Sequence, residues 1–243
     1  TAGPQSETLA WDTLGTNNED VSGGLSAITG DLTVSVSVTD NGALSGATID
    51  SGTSQYVEGG EGFGASSALE LVGDGGSDTA TVRFDFAATE QGSVEELAQN
   101  VAFRLNDVDT GTWTDTFTIN AFDADGNAIS VTITPEDTGN VVSGNEVTSG
   151  VANGSADSQS GSVLVEIPGP VAYFEILYGN DGTAGQRAWV SDLTFDTVPA
   201  PSGDDELDGG LGADDLFGGA GNDIFTIAEG EEANGATGDE LFI

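Results

Sequence analysis

The sequence predicts an all-β protein. A jelly-roll-like antiparallel β-sandwich spans residues 1–198, and a glycine-rich stretch of turns and very short strands spans residues 199–243. Three observations carry this reading. Apolar and polar residues alternate with period 2 in many short segments between Leu9 and Val198. Turn-forming clusters separate those segments at short spacing, the pattern of a sandwich or barrel. Near the C-terminus a nine-residue glycine and aspartate pattern repeats in register.

The alternating segments run in order along the chain. They are Leu32-Thr-Val34-Ser-Val36-Ser-Val38, Val82-Arg-Phe84-Asp-Phe86, Val101-Ala-Phe103-Arg-Leu105 and Phe117-Thr-Ile119, then Ile129-Ser-Val131-Thr-Ile133 and Val163-Leu-Val165-Glu-Ile167. Each has one apolar and one polar face, as an antiparallel strand with a solvated side requires. Val171 to Tyr178 and Trp189 to Phe195 are richer in aromatics and are expected nearer the centre. Asp40-Asn41-Gly42, Ser143-Gly144-Asn145 and Gly179-Asn180-Asp181-Gly182 are turn signals. Asp123-Ala-Asp125-Gly126-Asn127 opens like a calcium loop, but Thr134 stands where an EF-hand needs glutamate, so a hairpin turn is the better reading. Ser93-Val-Glu-Glu96 has capping-box spelling and predicts a helical turn or two over Ser93 to Gln99. Val198-Pro199-Ala-Pro201-Ser-Gly203 reads as the joint between the two parts.

Composition narrows the function. The chain of 243 residues has 42 acidic side chains against 3 basic ones, Arg83, Arg104 and Arg187, for a formal charge of −39. Such a surface repels nucleic acid and anionic lipid, and it stores self-repulsion that cations relieve. Histidine and cysteine are absent. Ser-His-Asp and Cys-His catalysis, disulfides and imidazole or thiolate metal centres are therefore excluded, leaving oxygen-ligated cations as the accessible metals. A hydrolase using two carboxylates is a remote rival, since no pair stands out. No apolar run approaches the ~18 residues of a membrane span.

The repeats are Gly209-Gly210-Leu211-Gly212-Ala213-Asp214-Asp215-Leu216-Phe217 and Gly218-Gly219-Ala220-Gly221-Asn222-Asp223-Ile224-Phe225-Thr226. A degenerate copy before them keeps Gly203, Asp205 and Leu207; another, Gly235 to Ile243, keeps Gly235, Gly238 and Phe242, with Glu240 where the aspartate belongs and Asp239 before it. Glycine supplies sharp turns, aspartate supplies carboxylate oxygen, and one large apolar residue per repeat marks a short strand. This pattern resembles the calcium-binding RTX nonapeptide repeat of secreted bacterial proteins. The resemblance implies a parallel β-roll in which Ca²⁺ is shared between repeats n and n+2. Carried onto this chain, Asp205 pairs with Asp223, and Asp214 with Asp239 or Glu240. Glycines 203, 210, 212, 219 and 221 make the carbonyl-bearing turns. It also implies export by type I secretion, and the final Glu240-Leu-Phe-Ile243 fits either a secretion signal or the strand of a repeat.

Residues 9–197 are similar to unnamed β-sandwich domains of marine bacterial surface and secreted proteins. Phe103-Arg-Leu-Asn-Asp107-Val-Asp109, Asp115-Thr-Phe117, Asp123-Ala-Asp-Gly-Asn127, Val142-Ser-Gly-Asn145, Pro170-Val-Ala-Tyr-Phe-Glu-Ile176, Tyr178-Gly-Asn180 and Trp189-Val-Ser-Asp192 carry that likeness. It implies an extracellular sandwich and no particular activity. Asp107 and Asp109, two apart, point to one strand face and, with Asp115, make a second candidate calcium site; partnership with Arg104 and backbone amides is the alternative. Arg83 and Arg104 are expected in ion pairs with Asp85 and Asp107. Tyr178, Arg187 and Trp189 form a candidate sugar-binding group, with packing in the core the preferred reading of Trp189.

These readings converge on a secreted or cell-surface, non-enzymatic calcium-binding protein of structural or adhesive role, self-assembling once its charge is neutralised. The alternatives are a carbohydrate-binding module of a secreted enzyme, taking extracellular polysaccharide, and a calcium-dependent surface-layer or filament subunit.

Overall fold

The computed structural model describes residues 3–76, 78–89, 94–182, 185–200, 203–210, 215–218, 221–226, 232–234 and 241–242. The alternating segments become strands. In chain order the sandwich has β1 (Ser6–Leu9), β2 (Leu25–Thr29), β3 (Leu32–Asp40), β4 (Leu44–Asp50), β5 (Ala68–Gly73), β6 (Thr79–Ala88), β7 (Val94–Asn106) and β8 (Asp115–Phe122). It continues with β9 (Ala128–Ile129), β10 (Thr132–Pro135), β11 (Val141–Ser143), β12 (Glu146–Thr148), β13 (Val163–Ile167), β14 (Tyr173–Asn180), β15 (Arg187–Ser191) and β16 (Leu193–Pro199).

Two antiparallel sheets result. The first is ordered β1-β16-β7-β15-β5-β4, with β13 on the other side of β7 and β10 beyond it. The second is β11-β12-β8-β14-β6-β3-β2, with β9 joined to β8. Inward residues of both sheets interdigitate. Phe84 and Phe174 stack within the second sheet, 4.6 Å apart, and Phe174 also stacks on Phe103 of the first at 5.4 Å. All three rings are fully buried. Truncating a ring in such a layer leaves a cavity that its rigid neighbours fill poorly. Phe174→Ala is therefore expected to lower stability by about 3–5 kcal/mol. Urea unfolding at fixed Ca²⁺ measures this, and a loss below about 1 kcal/mol would contradict the packing described.

Three sequence expectations are corrected. Residues 94–99 are strand rather than helix, opening β7. The apolar spacing there (Val94, Ala98, Val101) does mimic a helix. Its cause is a pair of register irregularities against β16, with Asn100 in a left-handed conformation (φ 53°). The extra residue resets the pleat, so that Ala98 and Val101 both face the core. Ile129 to Ile133 is not one strand: β9 pairs with β8 in one sheet and β10 with β13 in the other. The chain changes sheets at Ser130 and Val131. Trp189 to Phe195 is also split, at Asp192, which lies between β15 and β16 and whose buried carboxylate accepts the backbone N–H of Trp11 and Gly64. The Asp123 hairpin turn is present: its Oδ1 accepts the N–H of Asp125 and Asn127, and Gly126 takes φ 80°.

After the sandwich come five short strands: β17 (Glu206–Asp208), β18 (Asp215–Phe217), β19 (Ile224–Thr226), β20 (Glu232–Asn234) and β21 (Leu241–Phe242). Alternate strands pair in parallel. β17, β19 and β21 form one sheet, with Leu207 opposite Phe225 and Phe225 opposite Phe242. β18 and β20 form the other, with Leu216 opposite Ala233. One nonapeptide places a strand in one sheet and the next places it in the other, which makes a short parallel β-roll.

Candidate functional site

In the roll, the turns of alternate repeats meet. Asp205 opposes Asp223, and the Asp205 N–H donates to Asp223 Oδ1 at 2.9 Å, while the Ile224 N–H returns to the Asp205 carbonyl at 2.7 Å. No side chain fits at Gly221, because a Cβ there would run into the carbonyl of Gly203 one turn-pair away. A Cβ at Gly218 would run into the Asp223 carboxylate. Asp223 is wholly buried, and its Oδ2 has no hydrogen-bond partner. A buried carboxylate oxygen without a donor is costly. Gly203, Asp205, Gly221 and Asp223 therefore lie together where alternate turns meet. Gly210 is exposed with φ 78°, and its N–H is held by Asp208. Gly212, Asp214, Gly219, Asp239 and Glu240 lie outside the described residues.

The sandwich gathers a second group of carboxylates at the end of β7. Asp107 follows the last strand residue and takes a left-handed φ of 63°, so it meets Asp109 by turning out of the strand and not by strand alternation. The two carboxyl groups are in hydrogen-bonding contact. Asp109 is buried, holding the Trp113 indole N–H (3.2 Å) on Oδ1 and the Gly154 N–H (2.8 Å) on Oδ2. Asp115 opens β8 fully buried. Its Oδ1 accepts Tyr178 O–H at 3.0 Å and Asn180 N–H at 2.7 Å. Burial first, then neighbouring carboxylates, push Asp107 up to about 7; burial likewise pushes Asp115 to about 7 against its hydrogen bonds. Asp115 turns toward Tyr178 and Asn180, and among the described residues no three acidic groups are placed to hold a metal ion. The contact pair is Asp107 with Asp109.

The arginines form ion pairs. Arg83 meets Asp85 at 2.6 Å and Glu175 at 3.3 Å, and Arg187 meets Glu70 at 2.9 Å. Arg104 does not pair with Asp107 as the sequence suggested. Its side chain leaves the outer face of β7 for Glu61 and Glu136, so the aspartates are left without a cation from this residue.

The sugar-binding trio is also corrected. Tyr178 is fully buried against Phe117, and Trp189 is buried with its indole N–H on Asp50 Oδ2 at 2.8 Å. Neither offers a ring face to a ligand, and Arg187 is half-exposed and paired with Glu70. The accessible aromatics lie elsewhere. On the outer face of the second sheet, Phe122 stacks on Tyr173 at 4.8 Å, and the Arg83 guanidinium lies 3.7 Å from the Tyr173 ring centre. A recess of about 360 Å³ beside them is lined by Asn120, Phe122, Ser130 and Asn145, among others. The signal was in the sequence: Phe122 and Tyr173 are aromatics in the polar phase of alternating strands.

No family model matches the chain, and no curated protein matches it. Among solved structures it is similar to the K2 cleaved adhesin domain of Lys-gingipain, at 10% identity over 79% of this chain and 99% of that one, TM-score 0.40. It is similar to TmCBM27, a carbohydrate-binding module studied for mannan recognition, at 10% identity over 66% and 88%, TM-score 0.30. It also matches the enzymatically active domain of a bacteriophage CBA120 tailspike at 15% identity, TM-score 0.32, covering 67% of this chain but spanning only 19% of the tailspike chain. At these identities the likeness is one of fold alone, the antiparallel β-sandwich.

Proposed function

We propose that this chain is a non-enzymatic, secreted or cell-surface calcium-binding protein of structural or adhesive role, in which calcium orders the C-terminal roll. One observation carries the reading: strands 18 residues apart pair in parallel and set Asp223, buried with a free oxygen, against the turn at Asp205. Gly203, Asp205, Gly221 and Asp223 are the residues that would hold the ion. Bound Ca²⁺ supplies positive charge to a chain of formal charge −39 and lets stacked carboxylates coexist. The absence of histidine and cysteine, and the burial of Asp109 and Asp115, fit a binding role better than a hydrolytic one.

Circular dichroism and calorimetry of the full chain test this. Calcium should increase β signal over chelator, and Asp223→Asn should weaken binding at least ~10-fold while keeping the side-chain shape. Asp208→Asn, at an exposed carboxylate that holds only the Gly210 N–H, should change little. Identical spectra with calcium and chelator, or an unaltered Asp223→Asn variant, would refute the reading.

The open face of the second sheet favours a second reading, a carbohydrate-binding sandwich. Aromatic rings with amide and guanidinium neighbours are a recurrent setting for sugars. Tyr173→Ala with Phe122→Ala should abolish any glycan retardation seen in affinity electrophoresis, with the fold intact by circular dichroism. Retention of binding by that variant removes the face from consideration.

A further inference from the structure

Apart from Asp223, every buried side-chain oxygen or nitrogen without a partner among the described residues belongs to Gln55, Asn106 or Asp107. Natural folds satisfy nearly all such atoms, so the three orphans call for an explanation. They share a covering. The segment over residues 150–161 places the Gly154 N–H on Asp109 and the Gly161 carbonyl on the Val108 N–H. Its Ala156 accepts the Tyr56 N–H, beside Gln55, and packs on Trp189, the cross-strand partner of Asn106. Asn106 is fully buried, and both atoms of its amide lack partners. Next to it the Asp107 carboxyl, its Oδ1 unpartnered, touches that of buried Asp109. Two carboxylates in contact, one buried and one half-buried, are eased by a proton or a cation between them. A shared proton settles one oxygen pair but leaves Asp107 Oδ1 and the Asn106 amide oxygen unserved. A cation that takes several oxygens of mixed type serves both of these oxygens, leaving the amide N–H₂ groups of Asn106 and Gln55 to internal water.

We propose that the turn after β7, closed by the 150–161 segment, is a calcium-class cation site inside the sandwich, separate from the roll. Its protein ligands are the carboxylates of Asp107 and Asp109 and the amide oxygen of Asn106, with Gln55 a further oxygen donor under the same cover. Calcium suits this set better than Mg²⁺, because it accepts irregular arrangements of carboxylate, amide and carbonyl oxygen and sheds water readily.

Trp113 makes the site observable, since its indole N–H sits on Asp109 Oδ1 while the roll holds no tryptophan. Tryptophan emission of the full chain is titrated with CaCl₂ from chelator, alongside an Asp205→Asn/Asp223→Asn variant. The expected result is a saturable change that survives in the roll variant and shrinks in Trp113→Phe. In Asp107→Asn/Asp109→Asn it should need at least ~10-fold more calcium. No change, a change lost in the roll variant, or one unaffected by Asp107→Asn/Asp109→Asn overturns the proposal. In that case a shared proton and internal water serve these atoms. A second measurement guards against misfolding. In chelator at pH 8, Asp107→Asn should raise the melting temperature by removing a repelling charge; with calcium it should lower it. A fall of equal size in both conditions also overturns the site. Because the roll variant isolates this response, it stands or falls independently of calcium binding at Asp223.

Discussion

Arg104→Ala is expected to destabilise the sandwich by about 3–5 kcal/mol, the usual loss when one partner of a buried ion pair is removed. Arg104 is wholly buried, unusual for the side chain with five donors and a permanent charge. Its Nε and Nη2 form a fork on Glu61, both at 2.7 Å; Nη2 also reaches Glu136 at 2.8 Å, and Nη1 reaches Ser162 at 3.0 Å. The Tyr56 ring lies 5.0 Å from the guanidinium carbon. One cation thus ties the loop between β4 and β5 and the residue after β10 to the outer face of β7. With only 3 basic residues in the chain, nothing nearby replaces it. Arg104→Lys keeps the charge but loses the fork, and should fall between wild type and alanine. Arg187→Ala removes a half-exposed pair with Glu70 and should cost less than about 1 kcal/mol. Urea unfolding of the three variants at fixed calcium measures the contrast. A similar small loss at Arg104 and Arg187 would mean that the buried fork contributes no more than a surface pair.

What was legible in the sequence was whatever a single strand or turn decides locally. Leu32 to Val38, Val82 to Phe86 and Val163 to Ile167 alternate because one side of each faces the core, and they are β3, β6 and β13. The roll was legible because each nonapeptide carries its own turn and its own apolar residue. The errors lie where two elements decide together. The β7 bulge at Asn100 answers to β16, and the change of sheet at Ser130 answers to β8 and β13, neither written into the local pattern. For the candidate sites, aspartates at 107, 109 and 115 were visible as residue types. Their environment was not: Asp115 finds Asn180, 65 residues away, through the β8–β14 register, and Asp109 finds Gly154 through a covering loop. Aromatics beside an arginine suit sugars, but whether Tyr178 and Trp189 are ligand contacts or core is set by which sheet face each residue occupies, and both are buried, as the core reading of Trp189 expects.

The same aspartates give the chain an unusual dependence on pH when cations are withheld. Most acidic proteins lose stability on acidification, because native carboxylates titrate below their unfolded values. Asp107 and Asp115 do the reverse, with burial placing each at about 7 against a reference of 3.8. Between those values the folded chain binds more protons at these positions than the unfolded chain. Their contribution is therefore present below about pH 4, declines as pH rises towards 7, and is absent above that. Self-repulsion at formal charge −39 acts in the same direction. In chelator, the melting temperature should accordingly fall by roughly 2–8 °C between pH 5 and pH 8, as a loss of roughly 1–2 kcal/mol would produce in a domain this size. Asp115→Asn keeps an acceptor for Tyr178 and Asn180 but removes the titrating charge, and it should flatten the slope. A sodium series at each pH separates screening, which acts on the whole surface, from buried Asp115 and half-buried Asp107, which salt reaches less well. If the pH 5 to pH 8 difference vanishes in high salt, surface repulsion alone produced it; if it persists and Asp115→Asn removes much of it, the buried aspartates are its source.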